Sequence, residues 1–213
     1  MADNYLEKRY DEVFGHGKVS GISLRKPTLD QLLHMNRSFR GYDKSYTVHQ
    51  LQMEAIVGVN TKVASSINGQ RLRFRLVTKG PEADTVLKHI RMGRALPELN
   101  LPFPGTEPEA FIIVCTTAPE NASIDIDLGI SLQSMLLKAV EMDLNGICIC
   151  AFNREAVTAA LPLPYEPLAI VAIGKGAERI RLVPIHATDD HAYYRTPDGI
   201  HCVPKLQLDD LLI

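Results

Sequence analysis

Residues 124–152 read IDIDLGISLQSMLLKAVEMDLNGICICAF, and this stretch decides the fold. Leu128, Leu132, Met135, Leu136, Ala139 and Val140 recur at spacings of three and four. Over residues 124–143 they make one broad apolar face, the mark of a helix packed at the centre of a domain. The end of the stretch, GICICA at 146–151, is a short apolar run that reads as a buried strand.

Working outward, AFIIVCT at 110–116 and PLAIVAI at 167–173 are two more buried strands. Residues 71–77 alternate, with Leu72, Phe74 and Leu76 on one side and Arg71, Arg73 and Arg75 on the other. Thr28 caps a helix with Gln31 completing a capping box, and Leu29, Leu32 and Leu33 give it an apolar stripe. A second helix spans 48–60, with Leu51, Ala55, Ile56 and Val59 on one face. Further helices are expected at 82–92 and 153–160. Pro97, Pro102, Pro104 and Pro108 make residues 93–109 a long loop. In the tail, residues 191–195 and 200–203 flank Pro197-Asp198-Gly199 and read as a hairpin, and residues 206–212 as a final turn or strand. The fold class is α+β with about four core strands. Helices and strands do not alternate strictly, so a doubly wound sheet is not the best fit.

The chain of 213 residues is expected to be one domain. Its net charge of −2 does not suggest nucleic-acid binding. No apolar run approaches the roughly 20 residues that span a bilayer, and the polar N-terminus lacks the apolar segment of a secretory signal. Cys115, Cys148 and Cys150 sit in apolar strand-like runs, so with Cys202 they read as buried free thiols of a cytoplasmic protein.

Several apparent motifs fail on spacing. Gly15-His16-Gly17-Lys18 is half a phosphate loop without its strand. Gly174-Lys175-Gly176 follows a strand but lacks the third glycine of a dinucleotide fingerprint. Cys148-Ile149-Cys150, and His186, His191, His201 and Cys202, have no metal-ligand spacing, so no metal is expected. No catalytic side chain stands out either. Four segments remain. Arg37 and Arg40, with Ser38 between them, and Arg179 and Arg181 carry guanidinium forks that match phosphate oxygens. Ser65, Ser66, Asn68 and Gln70 form a polar turn suited to the edge of a polar ring, or alternatively an Asn-Gly hairpin turn.

In order and spacing these segments resemble the nitroreductase family. Residues 36–42 (NRSFRGY) are similar to its Arg-Arg-Ser-x-Arg-x-aromatic opening, with Asn36 at the first arginine. Residues 64–72 (ASSINGQRL) resemble its Pro-Ser-x-x-Asn-x-Gln-Pro-Trp segment. Residues 128–152 resemble its central helix and the Gly-Leu-Gly-x-Cys-Trp-Ile-Gly-Ala-Phe strand, with Cys150 at a glycine. Residues 169–181 resemble the closing strand and its basic residues.

The resemblance covers about 28–185 and leaves 186–213 as a C-terminal extension, expected to wrap onto a partner subunit or cover part of the site. It implies a sandwich of a central, mostly antiparallel sheet flanked by helices, in an intertwined homodimer with FMN at the interface. Asn36, Arg37, Ser38, Arg40, Arg179 and Arg181 would hold the phosphate and ribityl chain. Ser65, Ser66, Asn68 and Gln70 would meet the ring from the partner, and Cys150 and Ala151 would line its other side. NADH or NADPH would deliver hydride, and a nitroaromatic, quinone or flavin would then be reduced in a ping-pong sequence. A flavin-binding storage or sensing protein, and a flavin-fragmenting or dehalogenating relative, are the alternative readings.

Overall fold

The computed structural model describes residues 26–93 and 96–213. The half phosphate loop at 15–18 lies outside the described residues. Two apolar runs build the centre. Strand β2 (Ala110–Thr116) is buried throughout, and β4 (Glu166–Gly174) is buried in all but its first residue. They pair antiparallel, with Phe111 opposite Ala172 and Ile113 opposite Ile170. Strand β1 (Leu72–Val77) pairs with β2, and β3 (Asn145–Ile149) with β4. The sheet order is β1-β2-β4-β3, antiparallel at every step, so β3 is an edge.

A central strand sends alternate side chains to opposite faces, so both faces of β2 and β4 need cover. On one face Phe111, Ile113, Ile147, Ile149 and Ile170 join Ala83 and Val86 of helix α3 (Pro81–His89) and Val157 of α5 (Arg154–Ala160). On the other, Ile112, Val114, Val171 and Ile173 join Met53 and Ile56 of α2 (Gln50–Val57). Leu132, Met135 and Ala139 of α4 (Ala122–Glu141) complete that second layer. Burying each such large apolar side chain contributes roughly 1.5–3 kcal/mol. Asn121 caps α4 by accepting from the N–H groups of Ser123 and Ile124. At its other end Asp143 takes left-handed backbone (φ 59°), and Leu144 N–H bonds back to Ala139 O at 2.8 Å, which aims the chain into β3.

The tail builds a second sheet. Strand β7 (His201–Leu206) lies between β5 (Ile180–Ile185), to which it is parallel, and the short antiparallel β6 (Tyr194–Arg195). The expected hairpin is present as β6 and β7, with Gly199 at positive φ in its turn.

Three expectations change. Helix α1 (Leu29–Met35) has the capping box of Thr28 and Gln31, but buries none of its residues; among the described residues nothing covers Leu29 and Leu33, and Leu32 is half-buried. Helix α2 buries Gln52, Met53 and Ile56 rather than the face through Leu51 and Ala55. Gln52 tolerates burial because its amide is satisfied at both ends, accepting from His49 N–H at 3.0 Å and donating to the Tyr46 hydroxyl at 2.7 Å. Cys150 is exposed, not buried, because the β3–β4 ladder ends one residue earlier, at Ile149.

Candidate flavin site

The segment after α1 is laid along the edge strand. Ser38 forms a bridge with Gly146 of β3, and Phe39 N–H donates to Gly146 O at 3.2 Å. Gly146 itself packs closely on α4 and β4, since a Cβ there would stand 2.7 Å from both Ala172 O and the Leu136 side chain. Gly176 does the same beneath Phe39, whose ring would lie 2.4 Å from an added Cβ. Asn36 is tied to α4 by its amide, 3.4 Å from Gln133 Oε1.

Arg37 therefore sits where this segment meets α4 and β3. One of its terminal nitrogens donates to Leu33 O, and its Nε is buried with no hydrogen-bond partner among the described residues. Burial pushes its pKa down, since a guanidinium withdrawn from water favours its charged form less. An anion at this point would satisfy Nε and offset the cost of burying the charge. Ser38 is exposed beside it.

Arg40 faces elsewhere. It is buried, donates from Nη1 to Ser38 O at 3.1 Å, and lies 3.3 Å from His201 Nε2 and 5.0 Å from the centre of the Tyr193 ring. Glu178 closes this cluster. Its carboxylate accepts from the backbone N–H of Arg40 and of Gly41, the latter at 3.1 Å, and from the Arg195 guanidinium. Burial first, then Arg40 and Arg195, hold His201 down to about 4 against the pull of Glu178, so its ring is neutral at pH 7 and accepts from Arg40. Glu178, Tyr193, Arg195 and His201 were missed in the sequence, where they have no shared spacing. Arg179 and Arg181 hold the tail: Arg179 donates to Asp198 O at 2.5 Å, and Arg181 to Cys202 Sγ at 3.4 Å. Both remain exposed.

The polar turn is anchored to α4. Ser66 N–H donates to Asp127 Oδ1 at 2.7 Å, and Gln70 N–H donates to Ser65 Oγ at 3.2 Å. Ile67, Asn68 and Gln70 have φ of 48°, 54° and 46°, a conformation that costs a non-glycine residue of order 1–3 kcal/mol. A β-branched residue there is an outlier, and Ile67 is 86% exposed. Ser65, Gln70, Arg71, Arg73, Asp127 and Ser131 border an open groove of about 580 Å³. Asp127 and Gln133 differ by six positions, roughly 9 Å along α4 and about 120° around it. The turn and the Arg37 segment thus attach to different sides of the helix.

After β3 the chain crosses towards α3. Ala151 O accepts from Arg91 N–H at 2.9 Å, and Phe152 bridges Ile90. Cys148 and Cys150 present their sulfurs to one another at 3.8 Å.

The nitroreductase family model matches residues 34–175, from the end of α1 through β4. The chain belongs to the nitroreductase family. Solved nitroreductases share its fold. An FMN complex of a nitroreductase from Exiguobacterium sibiricum is 19% identical with a TM-score of 0.59, covering 71% of this chain and 90% of that one. A variant of the FMN and NADPH-dependent nitroreductase NfnB from a Sphigopyxis strain is 16% identical with a TM-score of 0.60, covering 71% and 89%. A nitroreductase family protein from Streptococcus pneumoniae is 12% identical with a TM-score of 0.58, covering 80% and 96%. No curated protein matches this chain. The α+β class and the antiparallel central sheet are those of the nitroreductase fold. Among the described residues, no helix is long and apolar enough to cross a membrane.

Proposed function

We propose that this chain is an FMN-dependent oxidoreductase that takes hydride from NADH or NADPH and reduces a small acceptor such as a nitroaromatic, quinone or flavin. The observation that carries this reading is Arg37. Its buried Nε, like that of Arg40, has no partner among the described residues, and Arg37 lies where the Ser38–Gly146 bridge joins this segment to the strand that leads into Cys150 and Ala151. The chain thus has a phosphate end and a ring end on one edge of the sheet.

FMN, when bound, would supply the two-electron chemistry that links the nicotinamide to the second substrate. The protein holds and orients it. Arg37 would bind the phosphate, with Ser38, Asn36, Arg179 and Arg181 around it. Arg40 would act through Ser38, whose carbonyl it fixes. Backbone N–H groups of Cys150 and Ala151 would favour negative charge on one side of the ring. Ser65, Ser66, Asn68 and Gln70 of a second copy would meet the ring edge. No side chain has to act as nucleophile, and one shared ring face makes the two substrates take turns.

A homodimer fits the exposed apolar residues. Leu29 and Leu33 of α1 and Ile126 and Ile130 of α4 leave adjoining helices uncovered. Residues 186–213 would belong to the same single domain, as an extension folded over Arg40. Four free thiols suit a reducing cytoplasm.

The test is the visible spectrum of purified protein, taken before and after anaerobic NADH or NADPH. Flavin bands that bleach are expected. Bands that persist with both nucleotides would leave a flavin-binding protein without turnover. No bands, even with added FMN, would overturn the reading.

A further inference from the structure

Cys148 and Cys150 are two residues apart along the edge strand, so both side chains leave the same face. Their sulfurs lie 3.8 Å apart, within hydrogen-bonding reach for thiols. Cys148 is half-buried against the α4 layer, and Cys150 is exposed. Cys148 pairs with Val171 in the ladder, whereas Cys150 stands just beyond the last pair, Ile149 with Ile170, and its backbone is not held by the sheet. Arg154 is fixed nearby at the start of α5 by Glu120 at 2.9 Å and Glu166 at 3.1 Å. The hydrogen bond from Cys148 and then the Arg154 charge hold the Cys150 thiol down to about 6, against the opposing effects of burial and Glu120. Cys115, in contrast, is buried and pushed up to about 11.

We propose that Cys150 and Cys148 form a hydroperoxide-reactive dithiol that closes reversibly to a disulfide, with Cys150 the attacking thiolate and Cys148 the resolving thiol. In the first step the Cys150 sulfur attacks the peroxide. An S–O bond forms, the O–O bond breaks, and the departing alkoxide or hydroxide takes up a proton. Cys150 is oxidised to the sulfenic acid, and the peroxide is reduced. In the second step the Cys148 sulfur attacks that of Cys150. The S–S bond forms, the S–O bond breaks, and water leaves with the thiol proton. Two thiols and one hydroperoxide give one disulfide, one alcohol (or water) and one water.

Residues two apart on a strand have Cα atoms about 6.6 Å apart, near the long end of the range a disulfide spans. The bond is therefore easily reduced, which suits a switch better than a structural staple. This inference stands on the thiols alone and does not depend on bound flavin.

The experiment treats reduced, as-purified protein with one equivalent of hydrogen peroxide. The chain should lose two hydrogens in mass, and its thiols, titrated in denaturant, should fall from four to two. The cross-link should lie within the peptide carrying both Cys148 and Cys150, and dithiothreitol should restore all thiols. Cys148→Ala should stop at a dimedone-trappable sulfenic acid on Cys150, and Cys150→Ser should resist. Alkylation of Cys150 at about pH 5.5 should run about 20-fold faster than that of an ordinary exposed thiol, after allowing for the lower nucleophilicity of a low-pKa thiolate. Retention of all thiols, oxidation centred on Cys115 or Cys202, or alkylation no faster than that of an ordinary thiol would each overturn the proposal.

Discussion

Asp127 accepts the Ser66 N–H at 2.7 Å with one carboxylate oxygen, while the other, Oδ2, is buried without a hydrogen-bond partner among the described residues. One side chain of the central helix thus holds the polar turn in place. Hydrogen bonds to a charged group contribute about 1.5–3 kcal/mol. Asp127→Ala should lower stability by about 2 kcal/mol in urea unfolding, with its effect centred on residues 64–70 in hydrogen exchange. Unchanged protection of the turn would show that Asp127 does not anchor it.

Ile67 is held at φ 48° with its side chain in solvent. Glycine adopts that backbone without a Cβ clash, so Ile67→Gly should raise the stability of the dissociated chain by about 1 kcal/mol. Denaturant midpoints at low protein concentration would measure it. A loss of stability there would mean that Ile67 makes contacts within its own chain.

If Arg37 is the phosphate anchor, Arg37→Ala should weaken FMN binding about 10- to 100-fold, the effect of one charge-assisted pair. Arg40→Ala should instead destabilise the chain, because the Arg40 side chain is bound to Ser38 O and His201 and packs on the Tyr193 ring. Flavin fluorescence titration and thermal unfolding of the two variants separate binding from folding. The same loss of flavin in both, with no loss of stability in either, would contradict this division of roles.

His201 is buried, and its pKa falls from the ordinary 6.5 to about 4. The unfolded chain therefore binds more protons between these values. The stability owed to neutral His201 is complete above about pH 6.5 and is lost as pH falls towards 4, on the order of 1–3 kcal/mol. Unfolding free energies measured across that window should show the slope, and His201→Gln should flatten it. A slope that persists in the variant would assign the effect to other groups.

Ile126 and Ile130 share a face of α4 with Gly129 and Gln133, all exposed. If this face is the subunit contact of the proposed homodimer, Ile126→Asp should shift the protein from dimer to monomer in analytical ultracentrifugation, because a charge in an apolar interface is costly. A variant that sediments like the parent would place the subunit contact elsewhere.

The central layers were legible without coordinates. A stretch of strand buried on both faces must be apolar, as residues 110–115 of β2 and 167–174 of β4 are, and the period of α4 marks its packed face directly. The Thr28–Gln31 capping box is equally local. The polar turn was only half legible. Asn68-Gly69 suggests that glycine takes the left-handed position, yet Gly69 is right-handed at φ −70° and the burden falls on Ile67, Asn68 and Gln70. Its geometry answers to Asp127, 61 positions from Ser66. The parallel pairing of β5 with β7 had no local signal, because register across a connection of that kind is set by the sheet itself.

Sequence alone determined the class of fold, the order of its core elements and the two groups of arginines, because periodicity and apolar runs are properties of neighbouring residues. Tertiary structure decided what surrounds each arginine. Arg37 and Arg40 look alike in the chain, and each keeps a buried Nε without a hydrogen-bond partner among the described residues. His201 and Tyr193 of the tail pack on the Arg40 side chain, while Arg37 reaches back to Leu33 O. It also decided that Cys150 lies open beside Cys148, since the end of a strand ladder depends on where its partner strand stops.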